Sequence, residues 1–227
     1  APQHLFPMNR HALPFVAPFF LFMVFLAVEG WFPDQHYAIY PLKTLLVTGI
    51  IAWYWRSLPS LKPSAPLQSA LIGIIGVILW IGLDRYLVRY DLPLIGRNPF
   101  ILYPAPLAGT LFAFRLLGIA LVVPVMEELF WRGFLMRWLI REDFTQVRLG
   151  EYKPFSFFTT TALFAAEHGP EWPLGAIDGL LYGVWFVRKK NLGDVMTAHG
   201  VTNLLLALYC LASGDWHFLS IVAPGTK

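Results

Sequence analysis

The sequence predicts an all-α fold: a polytopic transmembrane helical bundle of seven to eight spans with a polar cavity inside the membrane. Three observations predict it. The 227-residue chain is 57% hydrophobic and 14% charged, where a soluble domain carries about 25% charged residues. Its mean hydropathy is +0.57. Its apolar residues gather into runs approaching the ~20 that a helix needs to cross a ~30 Å hydrocarbon core. We read residues 1–227 as one integral-membrane domain, with N-terminal spans in 1–105 and a motif-bearing core in 106–213.

The spans follow in order. They lie near Leu13–Val28, Ala38–Trp55, Leu67–Leu83, Leu107–Met126 running on toward Leu139, Phe155–Glu167, Trp172–Val187 and Leu192–Leu211. The first run is long and no small-residue cleavage site follows it, so it is expected to stay as a span. The fifth is short, which a tilt or a locally thinned bilayer accommodates. An eighth span would have to come from the loop 84–104 or from the C-terminal tail. Trp31, Trp53, Trp55, Trp172 and Trp216 sit near span ends and fit an aromatic belt.

Basic residues orient the bundle. Arg10, then Arg56 and Lys62, then Arg137, Arg141, Arg148 and Lys153, then Arg188, Lys189 and Lys190 all fall on one side if seven spans alternate. That side reads as cytoplasmic, with the N-terminus inside. A multi-pass protein of the cell membrane, in a bacterium the inner membrane, is the expected location. The other side receives Glu29, Asp34, Glu171 and Asp215, while loop 84–104 is mixed, with Arg85, Arg89 and Arg97 against Asp84 and Asp91. The formal net charge of +3 thus marks topology rather than a nucleic-acid partner, and the bilayer is the first partner implied. A lone cysteine, Cys210, excludes an intrachain disulfide and a cysteine-rich metal site.

Against this apolar background, a few polar residues stand out. Glu127 and Glu128 are adjacent inside the fourth span, three and four residues after Pro124, and Arg132 follows Glu128 at i,i+4. An ionised group at mid-bilayer costs at least ~2.5–3.5 kcal/mol on insertion scales, so such residues face a bundle interior or a wet cavity. Adjacent helix positions differ by about 100°. One acid, Glu128, is therefore expected to pair with Arg132, while Glu127 faces something else. Pro124 removes a backbone donor and bends the helix beside the pair; plain packing explains such a kink equally well. His168 ends the fifth span, and His199 and Asn203 stand at i,i+4 on the seventh. Counted from the basic side, Glu127, His168 and His199 lie roughly 10–20 Å deep at 1.5 Å per residue, and a cavity open to that side would gather them.

A carboxylate and a histidine hold and deprotonate one water. A second histidine and an amide donate to the oxyanion of a tetrahedral intermediate. Together they suffice to hydrolyse an amide without a covalent intermediate. No serine lies in these segments to support a triad, and Cys210, in a very apolar run, reads as a core thiol. Two histidines with glutamates also suit zinc, although their spacing is not the His-Glu-x-x-His of one helix. Metal-dependent chemistry is the minority alternative; no cofactor is otherwise expected.

Glu127-Glu128-x-x-x-Arg132, Phe164-x-x-x-His168 and His199-x-x-x-Asn203 resemble, in order, the three motifs of the CPBP family of CAAX proteases and bacteriocin-processing membrane proteins, also called Abi. The stretch from Gly179 to His199 is similar to the link between the last two. The resemblance spans roughly Pro124 to Leu208. It implies an all-helical intramembrane endopeptidase of the type II CAAX prenyl protease kind, acting on a membrane-associated or lipidated protein or peptide. It also implies roles: Glu127 and His168 activating water, His199 and Asn203 forming the oxyanion site, Glu128 and Arg132 supporting the geometry. Glutamate chemistry is favoured over a metalloprotease. A link to the exosortase-associated CAAX-protease-related subfamily would shift the substrate to a membrane-anchored sorting-signal protein.

Competing functions are a non-catalytic immunity or scaffold protein, and a proton-coupled transporter with the acids and histidines as relay. The latter usually shows repeats or paired broken helices, and neither is visible. Two further expectations concern charges outside the motifs. Arg115 and Asp178 are expected to pair across helices, and Lys43 to snorkel or face the bundle.

Overall fold

The computed structural model describes residues 10–32, 35–88, 94–95, 98–219 and 221–222. The expectations placed on Asp34, Arg89, Asp91 and Arg97 lie outside the described residues. Among the described residues, helices overlap each of the seven expected stretches: α1 (Leu13–Trp31), α2 (His36–Tyr54), α3 (Pro66–Leu87), α4 (Ala105–Trp138), α5 (Pro154–Glu167), α6 (Trp172–Lys189) and α7 (Leu192–Ser213). Four of them, α1, α3, α4 and α7, are long and apolar enough to cross a membrane by themselves. At 14 residues, α5 spans only about 21 Å, short of a ~30 Å hydrocarbon core. No eighth membrane-length helix occurs among the described residues. Loop 84–104 instead forms one helical turn at Pro99–Leu102 and a two-residue antiparallel ladder, Leu94–Ile95 against Ile221–Val222.

Local sequence starts and stops these helices where the chain must turn. Proline occupies the first turn of α1, α3, α5 and α6, where its missing N–H costs no helical bond. Asn191 caps α7 through Asp194 N, and Gly214 ends it in the left-handed region at φ 77°, where glycine carries no Cβ penalty.

The longest rod, α4, is not regular. It widens into π-helix at Gly118–Val122 and again at Leu129–Leu135, with the α-helical turn Val123–Glu128 between. Pro124 cannot donate to the preceding turn, and a widened turn relieves the ring's clash there. The irregularity expected beside the acidic pair therefore takes the form of two widened turns flanking it.

Helix association in lipid relies on close packing and small residues. A Cβ on Gly73 of α3 would lie 2.3 Å from the Ala198 carbonyl of α7, and one on Gly200 of α7 would lie 2.7 Å from the Ala120 carbonyl in the first widened turn. These glycines let α7 press against both α3 and α4. At the basic-loop end, Phe19 stacks on Phe130 at 3.9 Å, and Phe15 and Phe134 both meet Phe144 edge-on. Arg137, expected as a loop charge, is buried there and donates to the Gly133 and Val147 carbonyls.

Large apolar side chains such as Val24, Leu67, Leu71, Ile78 and Leu121 face outward, as a lipid-contacting surface requires. Trp31, Trp53, Trp55 and Trp172 are exposed near helix ends, in keeping with a belt. Trp216 is instead half-buried, packed edge-on against Phe112.

Candidate active site

The two glutamates occupy different environments. Glu128 is fully buried, and its Oε1 lies 3.1 Å from Arg132 Nη1 and 3.0 Å from His199 Nδ1. Arg132 donates its other terminal nitrogen to the Gly179 carbonyl at 3.2 Å, and its guanidinium sits 4.5 Å from the Phe164 ring centroid. One carboxylate thus ties α4 to α7, and its arginine reaches α6 and α5. Glu127 is also buried, at 6% exposure, but its Oε2 has no hydrogen-bond partner among the described residues.

His168 caps the C-terminal end of α5. Its Nδ1 lies 2.7 Å from the Phe164 carbonyl. A carbonyl only accepts, so Nδ1 carries the proton and Nε2 keeps its lone pair. Phe164 and Trp80 flank the ring at 4.7 and 5.6 Å. From α6, Gly175 comes so close that a Cβ would lie 3.0 Å from the imidazole. His199 stacks on Tyr182, 5.0 Å away and 23° from parallel. Asn203, one turn further along α7, donates Nδ2 to the Ile119 carbonyl at 2.9 Å, within the first widened turn of α4. No hydrogen bond joins Glu127 to His168 among the described residues.

Glu127, His168, His199 and Asn203 all line one cavity of about 200 Å³, room for several waters. Its direction differs from that expected. The remaining wall includes Glu29 and His36 at the α1–α2 turn, Arg115 in the first half of α4, Glu171 between α5 and α6, and Leu219 after α7. These positions belong to the end remote from the basic loops. The cavity therefore extends away from the basic side, because the short α5 ends inside the bundle and leaves space on that side of His168.

The expected pairing of Arg115 with Asp178 does not form. Arg115 places Nη1 3.2 Å from His36 Nε2, and Asp178 Oδ2 lies 3.1 Å from the Tyr182 hydroxyl. Asp178 and Tyr182 stand at i,i+4 on α6, a local contact that the cross-helix expectation overlooked. Tyr182 continues to Thr202 Oγ1 at 2.7 Å, and Thr202 lies 2.9 Å from the Gly73 carbonyl. This polar network underlies the His199 ring. Glu167 accepts from Trp131 Nε1 at 3.1 Å.

Glu29, assigned to a loop, is fully buried in α1; Lys43 faces the bundle and donates to its Oε2 at 2.8 Å. No periodic pattern links these two, since the contact depends on how α1 and α2 are rotated against each other. Among the described residues, no three His, Cys, Asp or Glu side chains are grouped closely enough to hold a metal ion.

A family model described as type II CAAX prenyl endopeptidase Rce1-like matches residues 109–205. That segment contains Glu127, Glu128, Arg132, His168, His199 and Asn203 and omits α1–α3. No curated protein and no solved structure matches the chain.

Proposed function

We propose a reaction from the premise that the chain belongs to the CPBP family, the CAAX-type intramembrane proteases. In this reading it hydrolyses a peptide bond of a membrane-associated or lipidated protein, with water as the nucleophile. The observation that carries the reading is the convergence of Glu127, His168, His199 and Asn203, from three helices, on one cavity in which a Glu127 oxygen has no hydrogen-bond partner among the described residues.

Glu127 and Nε2 of His168 hold the water between them and take its proton as it attacks the carbonyl carbon. Attack moves the carbonyl electrons onto oxygen. Asn203 and His199 face that oxyanion. Asn203 spends one amide proton on Ile119 and retains the second. His199 has Nδ1 turned to Glu128, so in this role it carries a proton on each nitrogen and donates from Nε2. Collapse of the intermediate breaks the C–N bond, and the proton taken by Glu127 passes to the leaving amine. Glu128 and Arg132 position His199 without touching substrate.

The test is Glu127→Gln in purified protein, assayed against membrane peptides that the parent cleaves. The variant keeps shape and removes the base, and its kcat is expected to fall by about 10²–10⁴. Unchanged cleavage would exclude this mechanism.

A further inference from the structure

The basic-loop end of the bundle holds a second cavity that the proposed hydrolysis does not use. It measures about 390 Å³ and shares no lining residue with the cavity of Glu127. Its walls come from the start of α1, the end of α2, the end of α4 and the loop after α4. Arg137 lines it and is 7% exposed. Its guanidinium is held in place. Nε donates to the Gly133 carbonyl at 2.6 Å and Nη1 to the Val147 carbonyl at 3.1 Å. The Phe15 and Phe144 ring centroids lie 5.7 and 4.8 Å away. Nη2 makes no hydrogen bond among the described residues and stays accessible. Anchoring the loop therefore leaves one edge of the guanidinium unspent.

The rest of the wall has the same character. Arg10 adds a second guanidinium and His11 an imidazole, while Tyr54 and Ser57 bring hydroxyls from the end of α2 and the turn after it. No Asp or Glu among the described residues lines the cavity. Asp143, next to Phe144 in this wall, accepts from Thr145 Oγ1 and Gln146 Nε2, each at 2.6 Å. No ion pair to Arg137 occurs among the described residues. The opening thus offers positive charge and hydrogen-bond donors to an anion.

We propose that this cavity binds a phosphate group, with Arg137 Nη2 and Arg10 gripping its oxygens and Tyr54 and Ser57 donating to them. Guanidinium matches phosphate with paired donors. The level of the site points to the source. Trp53 and Trp55 flank Tyr54 in sequence and are 84% and 57% exposed, and indole rings gather at the headgroup level of a bilayer. Basic side chains at that level attract anionic lipids. The phosphate is that of an anionic glycerophospholipid, seated where α1 begins and α2 and α4 end. The site is independent of the peptidase reading.

The experiment titrates the full chain, purified in detergent, with dioctanoyl phosphatidylglycerol or dioctanoyl phosphatidylcholine and counts bound lipid by native mass spectrometry. The choline lipid covers its phosphate with its own ammonium, so the glycerol lipid should bind at least about tenfold more tightly. Arg10 is exposed, and Arg10→Gln should keep the fold while weakening phosphatidylglycerol binding about fivefold. A folded Arg137→Gln protein should lose the preference. Arg188, exposed at the same end but outside the cavity, is the control, and Arg188→Gln should change nothing. Thermal unfolding in sodium phosphate against sodium chloride at matched ionic strength tests the free ion. Stabilisation by phosphate that Arg10→Gln abolishes, with the two lipids bound equally, would assign the same site to a soluble phosphate. Equal binding of the lipids with no phosphate effect overturns the proposal. So does a phosphatidylglycerol preference that Arg10→Gln leaves intact, or one that Arg188→Gln weakens as much, since the attraction would then belong to the whole basic face.

Discussion

Glu128 and His199, 71 residues apart in sequence, meet at 3.0 Å in the buried centre of the bundle. The same oxygen of Glu128 also holds Arg132 at 3.1 Å. Glu128 is thus the charge on which two neighbouring side chains depend through one oxygen, whereas no side chain among the described residues makes a hydrogen bond to Glu127 Oε2. This contrast separates the two adjacent acids experimentally. Glu128→Ala leaves Arg132 buried and uncompensated and should cost about 3–5 kcal/mol of stability. Glu127→Gln should change stability by less than about 1 kcal/mol. Thermal unfolding of both variants in detergent decides; equal melting temperatures would contradict the assignment.

In the proposed reaction Asn203 would serve both stability and chemistry through a single amide. Asn203→Ala loses the bond to the Ile119 carbonyl and should lower stability by about 1 kcal/mol. Its effect on turnover should be larger, about 10²–10³ in kcat, if the second amide proton serves the oxyanion. Steady-state kinetics showing a change in KM alone would remove Asn203 from that role.

The contact of α3 with α7 depends on Gly73. A Cβ there would stand 2.3 Å from the Ala198 backbone oxygen, while one on Gly82 of the same helix would meet nothing within 4 Å. Gly73→Ala should therefore destabilise by about 1–3 kcal/mol. Gly82→Ala should be neutral or slightly stabilising, since alanine is the better helix former. A pair of unfolding curves that superimpose would show that α3 yields freely.

Gly175 borders His168, and a Cβ there would lie 3.0 Å from its ring. Gly175→Ala should displace the imidazole and lower kcat about tenfold with little loss of folded protein, because misplacing a reacting group by even 1 Å is costly. Retention of full activity would mean that the ring adjusts, or that it is not used.

A chelator separates the two chemistries that the motif residues allow. Water activated by Glu127 and His168 needs no ion, so activity of the purified protein should survive dialysis against EDTA. Loss of activity restored by zinc would favour the metal-dependent alternative.

Much of the fold was legible because helices obey local rules. Apolar runs approach the thickness of a bilayer, and prolines and polar turns separate them. The described helices accordingly fall within a few residues of the expected spans. Glu128–Arg132 was legible for the same reason: positions four apart on a helix adjoin whatever surrounds them. Asp178–Tyr182 was equally local. The Arg115–Asp178 expectation failed because it required knowing which way two helices face. Arg137 was misjudged as a loop charge, since its burial comes from carbonyls at Gly133 and Val147 that leave no trace in residue type.

By itself, then, the order of residues determined that the chain is an all-helical membrane bundle and which few polar side chains interrupt its apolar spans. Tertiary structure alone decided that Glu29 meets Lys43, that Arg115 meets His36 and borders the cavity, and that this cavity extends away from the basic loops. The physical reason is rotational. In a membrane, lipid-facing and core-facing positions are both apolar, so hydropathy does not record how a helix is turned about its axis. One extra residue in a widened turn, as at Gly118–Val122, rotates every later side chain by about 100°, and only the packed neighbours determine where it comes to point.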